Sequence, residues 1–177
     1  MIRRQKKIQS IVEKLLSDAM IYFPHVDVEK IARNLNIQIK LEDLKDVSGL
    51  IYRDGMQVII GVNSHHGENR QRFTIAHELG HFFLHSQNPL FIDKNTDHSF
   101  SIKLRNHVSS EAVSLEEIEA NAFAAELLMP THLIAEAVKH VNTDDLDEII
   151  EQLAAQFKVS NQAMTIRLSN LGFFQEM

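Results

Sequence analysis

A short apolar run that contains three histidines and one glutamate constrains the fold of this chain more than any other feature. Residues 73–85 read FTIAHELGHFFLH, with polar side chains at His77, Glu78, His81 and His85. The remaining positions are apolar nearly all round a helix, so this helix is expected to be buried. Imidazole rings and a carboxylate are costly to bury without partners. The run therefore predicts a core helix whose polar side chains meet a cation or other polar groups.

The spacing of these residues favours a metal ion. His77 and His81 are four residues apart, which places both rings on one face of a helix, one turn from each other. Two rings so placed can both reach a single zinc ion at roughly 2.1 Å. The carboxylate of Glu78 lies about a third of a turn away, where it can reach a water at the metal and act as general base. The alternative is a core helix whose histidines bond to backbone carbonyls.

A catalytic zinc site takes three protein ligands, so a third ligand is needed. His85 shares the face of His77 and His81 but lies roughly 12 Å along the axis from His77, too far to share one ion, and is expected to support or pack against the site. A second helix runs through small apolar residues from Glu119 to Pro130. A carboxylate at Glu119 in such a helix is costly unless it meets a metal or a positive partner. The predicted ligand set is His77, His81 and Glu119.

Three nearby carboxylates receive other interpretations. The sequence from Ser114 to Glu117 has the form of a capping box, which predicts that the second helix begins at Leu115. Glu116 and Glu117 are then first-turn charges on the helix dipole. Glu126 lies two turns beyond Glu119, too far to share the ion, and is interpreted as an exposed or paired carboxylate.

Hydrophobic periodicity and turn signals predict a mixed α+β chain with a small three-stranded sheet and a C-terminal helical bundle. Asp54-Gly55 between two apolar runs signals a hairpin. Residues 86–112 are interpreted as a long connection. The predicted strands cover residues 37–41, 49–52 and 56–62, and further helices cover residues 8–19, 28–35, 115–129, 133–140, 146–157 and 162–170. The predicted divisions are an N-terminal helix over residues 1–25, a core over 26–130 and a helical subdomain over 131–177.

Composition narrows the class of protein. The 177 residues are 44% hydrophobic and 24% charged, and contain no apolar run near 20 residues, so no membrane span is expected. The basic N-terminus continues into an amphipathic pattern rather than the apolar core of a signal peptide. That basic run is interpreted as a solvated face or a contact for an acidic partner. With no cysteine, no thiolate can hold a metal, and a cytoplasmic protein is expected. The net charge of −6 disfavours a nucleic-acid backbone as partner.

Two motifs together resemble the ImmA/IrrE family of metallopeptidases: RFTIAHELGH at residues 72–81 and EANAFAAELLMP at residues 119–130. The resemblance runs from about Val26 to Gly172. It implies a zincin-like fold with an active-site helix, metal ligands at His77, His81 and Glu119, and Glu78 as base. It also implies a cytoplasmic endopeptidase that cleaves a helix-turn-helix transcriptional repressor and so relieves repression. In zincins, extended substrate commonly pairs with a strand beside the active-site helix, here residues 56–62, interpreted as an edge strand.

Zinc is the expected metal, with manganese or iron as alternatives for the same ligands, and no organic cofactor is expected. A second function remains open, that of a regulatory protein that binds a partner and cuts it poorly or not at all. The last two helices also resemble a helix-turn-helix, which can read DNA. The second of them offers Arg167 as its one cation, so direct DNA binding is not the expected function.

Overall fold

The computed structural model describes residues 2–54, 57–85, 90–94 and 110–173. It confirms the predicted mixture of helices and strands. In chain order the elements are α1 (Ile2–Asp18), α2 (Val28–Asn34), β1 (Ile37–Glu42), β2 (Val47–Asp54), β3 (Gln57–Asn63), α3 (Glu68–Leu84), β4 (Leu90–Lys94), α4 (Ser110–Leu128), α5 (Thr131–Val138), α6 (Leu146–Phe157) and α7 (Asn161–Asn170).

The strands form one mixed sheet in the order β1-β3-β2-β4. β1 is parallel to β3, whereas β2 runs antiparallel to both β3 and β4. Asp54 lies opposite Gln57, so the predicted hairpin between β2 and β3 is present. The three predicted strands are joined by a fourth, β4, which lies inside the segment interpreted as a long connection. Within that connection, residues 86–89 and 95–109 lie outside the described residues, as does Met56, and residues 110–112 belong to α4.

The interpretation of residues 56–62 as an edge strand is wrong. Strand β3 is paired on both sides, and Ile60 lies opposite Ile39 of β1 and Ile51 of β2. Its four C-terminal residues are all buried. The continuous apolar run of this segment is typical of an inner strand rather than an edge. Within the described part of the sheet, the outer strands are β1 and β4.

Residues 28–124 form one compact unit. Helix α3 packs on strands β2 and β3, and the fully buried side chains include Ile51, Ile60 and Leu79. The guanidinium of Arg53 on β2 donates hydrogen bonds to the carbonyl oxygens of His81 and Phe82, at 3.3 and 3.0 Å. These carbonyls belong to the last turn of α3, so Arg53 holds the end of the helix against the sheet.

Residues 1–27 and 125–177 form the second compact unit. Helix α1 buries a stripe of apolar side chains at helical spacing, as its sequence predicts, and α5, α6 and α7 contribute the rest of this core. The boundary at Ala124/Ala125 falls inside helix α4, whereas the sequence analysis divides the chain at residues 25/26 and 130/131. None of the helices in the described ranges combines the length and the apolar character needed to cross a bilayer.

Helix ends follow local chemistry in α6, whereas the start of α4 departs from the prediction. Helix α6 has the predicted bounds, and Asp145 caps it by accepting from the backbone N–H groups of Asp147 and Glu148. It ends at Lys158, which takes a left-handed conformation with φ 52° and ψ 55° although it is not glycine. Helix α4, in contrast, begins at Ser110 and not at Leu115. The capping-box sequence therefore lies inside the helix and does not mark its start.

Candidate metal centre

Helix α3 brings His77 and His81 together as their spacing predicts. The two rings meet edge to face with centroids 4.7 Å apart, and their Nε2 atoms are 3.0 Å apart. Both side chains are almost wholly buried, at 4% and 2% exposure. Two imidazole nitrogens therefore converge on one point inside the unit formed by residues 28–124.

The carboxylate that joins them belongs to Glu117. Its Oε2 lies 3.2 Å from Nε2 of His77, and its Oε1 lies 3.2 Å from Nε2 of His81. Within the described residues these three side chains form a group that could hold a metal ion. Ligand atoms placed tetrahedrally at about 2.0–2.1 Å from zinc are about 3.3 Å from one another, close to the separations seen here.

The structure does not bring Glu119 to this point, contrary to the sequence prediction. The Oε2 atom of Glu119 lies 3.0 Å from Nε2 of His85, one turn further along α3. The physical reason lies in the start of α4. Because the helix begins at Ser110, Glu117 lies about two turns inside it rather than in the first turn, and it is not committed to the helix dipole.

A close approach of α3 and α4 sets the distance from Glu117 to the histidines. A Cβ atom added to Gly80 would meet the Cα atom of Ala120 at 3.0 Å and its carbonyl oxygen at 3.1 Å. Gly80 precedes His81, and Ala120 lies between Glu117 and Asn121. The absence of a side chain at Gly80 therefore lets the two helix backbones come near enough for a glutamate side chain to reach the imidazole nitrogens.

Asn121 is a site residue that the sequence analysis missed. Its Oδ1 atom lies 3.0 Å from Nδ1 of His77. An amide oxygen only accepts, so Nδ1 of His77 donates this hydrogen bond. The signal in the sequence is the spacing of Glu117 and Asn121, four residues apart and so on one face of an Ala-rich helix.

The charges of the group favour a cation at its centre. Burial on its own raises the pKa of Glu117, but hydrogen bonds and charge interactions with His77 and His81 outweigh burial and lower that pKa to about 2. Burial is also the largest effect on His81 and lowers its pKa, against the opposing hydrogen bond to Glu117. At neutral pH the site therefore holds the Glu117 carboxylate beside the His81 ring, whose burial favours its neutral form. One cation between the three ligand atoms, whether a proton or a metal ion, relieves their mutual repulsion.

Glu78 is not a member of the convergent group of His77, His81 and Glu117. It is fully buried on α3, next to His77. Strand β2 passes close to it at Gly49, where an added Cβ would lie 3.2 Å from Oε1 of Glu78 and 2.2 Å from Cγ2 of Thr74. Any side chain at Gly49 would therefore displace Thr74 and press on the Glu78 carboxylate.

The donor atoms fit a divalent transition metal. Two neutral imidazole nitrogens and one carboxylate oxygen are ligands that zinc accepts, and three protein ligands leave a fourth position open. Manganese and iron accept the same ligand types. With one carboxylate and two neutral rings, a divalent ion would leave the centre with net positive charge.

Glu126, at the far end of α4, is paired, which is one of the two alternatives given by the sequence analysis. Its carboxylate binds the guanidinium of Arg167 and also accepts from the backbone N–H and the hydroxyl of Thr131. Arg167 further donates to the carbonyl oxygen of Met129 at 3.0 Å. Glu126 and Arg167 are both buried, so this network belongs to the packing of its own unit.

Comparison with known proteins also indicates a metal-dependent peptidase. A peptidase family model described as the IrrE N-terminal-like domain matches residues 32–169. The chain is 29% identical over 170 residues to Metallopeptidase ImmA of Bacillus subtilis (strain 168), an alignment that covers 95% of this chain and 85% of that protein. It is 28% identical over 145 residues to Uncharacterized immunity region protein 2 of Bacillus phage phi105, covering 80% and 79%. Because the model matches most of the chain, this protein belongs to the IrrE N-terminal-like family and is a metallopeptidase of the ImmA/IrrE type.

Proposed function

We propose that the protein is a zinc-dependent endopeptidase that cleaves a protein partner, with His77, His81 and Glu117 as metal ligands and Glu78 as general base. The observation that carries the proposal is the convergence of two buried Nε2 atoms and one ionised carboxylate within 3.2 Å of one another. Glu117 takes the place that the sequence analysis gave to Glu119.

A bound zinc ion would supply Lewis acidity, polarising the scissile carbonyl and lowering the pKa of a water at the site toward about 7. Glu78 accepts a proton from the attacking water and donates it to the leaving amine. Full burial of Glu78 keeps this proton transfer away from bulk water.

The proposed substrate is a helix-turn-helix transcriptional repressor, whose cleavage relieves repression. Support comes from the resemblance to the ImmA/IrrE family and from the phage relative, which is named as an immunity region protein. Since a repressor acts at the chromosome, the proposal places the peptidase in the cytoplasm. A substrate strand that adds to the described sheet would pair with β1 or β4, because β3 is paired on both sides.

The metal ligands are tested by the zinc content of the purified protein. We expect about one zinc per chain in the parent, none in Glu117→Ala, and retained zinc in Glu78→Gln. Loss of zinc in Glu119→Ala together with full retention in Glu117→Ala would restore Glu119 as the ligand.

The activity is tested by incubating the zinc-loaded protein with purified helix-turn-helix repressors of the same genome and following cleavage by mass spectrometry. The parent should cleave one repressor at a defined bond, and Glu78→Gln should not. If the parent leaves every repressor intact yet forms a stable complex with one, the protein is a binding protein that regulates without cutting.

Recognition of DNA by the last two helices is disfavoured by the position of Arg167. This residue is the cation that the sequence analysis considered for DNA contact on α7. Its guanidinium is buried and engaged by Glu126, Thr131 and the carbonyl oxygen of Met129. A phosphate contact would require breaking this buried ion pair, which is costly.

A further inference from the structure

Helix α1 carries an exposed row of cations and hydroxyl groups on the side that faces away from its buried stripe. We propose that this row binds the phosphate backbone of duplex DNA without reading its sequence. The row consists of Arg3, Lys7, Ser10, Lys14 and Ser17, and all five residues are exposed. The inference goes beyond the proposed peptidase activity and does not depend on the metal centre.

The spacing of these residues places them on one face of the helix. They follow one another at intervals of four, three, four and three residues, so each lies about one turn beyond the last. The buried residues of α1 lie on the opposite face, where Val12 and Leu16 are 1% and 3% exposed. From Arg3 to Ser17 the row extends about 21 Å at 1.5 Å per residue. It is therefore continuous and open to solvent.

The cations of the row are not neutralised within the protein. Among the residues that the structure describes, none forms an ion pair with Arg3, Lys7 or Lys14. Exposed cations elsewhere do pair, as Lys139 does with Glu136 at 2.7 Å. An exposed cation without a carboxylate partner can bind an external anion without breaking an internal contact.

The negative net charge of the chain does not oppose binding at this row. The net charge is −6, but all 24 acidic residues lie beyond residue 12, whereas four of the 18 lysines and arginines lie within residues 3–7. The carboxylates of α1 itself, Glu13 and Asp18, belong to its second half. Exposed charges more than about 8 Å apart are largely screened at physiological ionic strength. The local charge of the row, rather than the net charge, therefore governs association.

The chemistry of the row fits phosphate groups. Arginine, lysine and serine are among the side chains that hold phosphate oxygens in protein–DNA complexes, and such contacts carry no sequence information. Duplex DNA carries one negative charge per about 1.7 Å of its axis, so a row of this length meets phosphates along its whole extent. An anionic membrane fits less well. Amphipathic helices bind membranes through an apolar face, and the apolar face of α1 is buried in the protein.

Such a contact would assist the proposed function. Repressors act on DNA, so a peptidase that is loosely held by the backbone and slides along it would meet its substrate on the duplex. The contact lies on α1 and therefore leaves the conclusion about Arg167 of α7 unchanged, whose guanidinium is engaged by Glu126.

The test measures binding of the purified full chain to a short fluorescent duplex of mixed sequence by anisotropy, at salt concentrations from about 50 to 200 mM. The test variant is Lys7→Gln/Lys14→Gln. The matched control is Arg33→Gln/Lys139→Gln, which removes the same charge from exposed sites elsewhere. Because all four side chains are exposed, both variants are expected to fold like the parent, and circular dichroism verifies this.

For the parent, we expect the logarithm of the association constant to fall with the logarithm of salt concentration with a slope of about −3, as three phosphate contacts require. Lys7→Gln/Lys14→Gln should weaken binding roughly 10- to 100-fold at about 50 mM salt and bring the slope to about −1. The control variant should match the parent. Glu13→Gln removes a negative charge beside the row and should tighten binding.

Three outcomes overturn the proposal. The first is that the parent shows no measurable binding to the duplex at about 50 mM salt. The second is an equal loss in the control variant, which would trace the effect to net charge. The third is equal or tighter binding of fluorescent polyglutamate or of phosphatidylserine vesicles, which would assign the row to an acidic protein segment or to a membrane. Because these measurements involve neither zinc nor cleavage, failure of the peptidase proposal leaves this test unaffected.

Discussion

Helix α4 carries two carboxylates that differ in what they meet. Near its C-terminal end, Glu126 is paired with the guanidinium of Arg167, a permanent cation supplied by the chain. Two and a half turns earlier, Glu117 meets the rings of His77 and His81, which carry charge only when protonated. The negative charge of Glu126 is neutralised within the protein without any ligand. The negative charge of Glu117 is neutralised when a cation binds.

The Glu126–Arg167 pair therefore serves packing, whereas Glu117 with the two histidines forms a candidate metal site. A buried ion pair with satisfied hydrogen bonds loses stability when one partner is removed and gains nothing from a metal. A group of three convergent acceptors should gain stability from a metal. The two carboxylates can therefore be told apart by how unfolding responds to substitution and to zinc.

The largest expected change in the free energy of unfolding comes from breaking the Glu126–Arg167 ion pair. Arg167→Met leaves the Glu126 carboxylate buried beside an apolar side chain and should lower the free energy of unfolding by about 3–5 kcal/mol. Urea denaturation measures this loss. Arg33→Met serves as control, because the pair of Arg33 with Glu29 is exposed and worth little. The second change Glu126→Leu should recover part of the stability, and no recovery would show that the charge of Glu126 is not the cause.

The next largest change in the free energy of unfolding is expected when zinc binds to the group of His77, His81 and Glu117. Zinc at about 100 times its dissociation constant should raise the free energy of unfolding by about 2.7 kcal/mol. The gain should disappear with EDTA and in Glu117→Ala, yet persist in Arg167→Met measured from its own lower baseline. An equal gain in Glu117→Ala would show that zinc binds elsewhere.

A smaller effect tests how the helices hold Glu117 in place. Helix propensity alone predicts that Gly80→Ala stabilises α3 by about 1 kcal/mol. The added Cβ would press on the backbone of Ala120, so we expect instead a loss of about 1–3 kcal/mol and weaker zinc binding. Gly67→Ala is the control, since nothing lies within 4 Å of an added Cβ there. Unchanged zinc affinity in Gly80→Ala would show that this contact between the helices does not position Glu117.

A last effect is the response of the metal-free site to acid. The pKa of Glu117 is lowered from 4.5 to about 2 in the folded protein. Its contribution to stability is therefore present above about pH 4.5 and is lost as pH falls toward 2. Comparing the chelated parent with Glu117→Gln in urea at several pH values isolates this contribution. The difference between the two should shrink across this range, and a difference independent of pH would contradict the prediction.

The fold was predictable wherever periodicity alone decides structure. Helices α1 and α6 and the β2–β3 hairpin follow from apolar spacing and an Asp-Gly turn. The pairing of β3 was not predictable in the same way, because an apolar run does not say which strands will lie beside it. The start of α4 was misplaced because a capping-box pattern can occur inside a helix when the residues before it are also helical.

At the site, the sequence identified the two histidines because both lie on one helix, where spacing fixes their geometry. The carboxylate that meets the two histidines comes from another helix, and its identity depends on the rotation of α4 about its own axis. Glu117 and Glu119 differ by about 200° around that axis. Asn121 shares a helix face with Glu117, which indicates that this face is turned toward the histidines. This is recognised only once the contact of Asn121 with His77 is known.

The convergent group uses nitrogen and oxygen donors alone, and the whole chain contains no cysteine. Oxidants that convert thiolates into sulfenic acids or disulfides therefore find no target among its ligands. Many zinc sites built on thiolates release their metal under such conditions. A centre of this composition would keep its donor atoms intact in the presence of such oxidants.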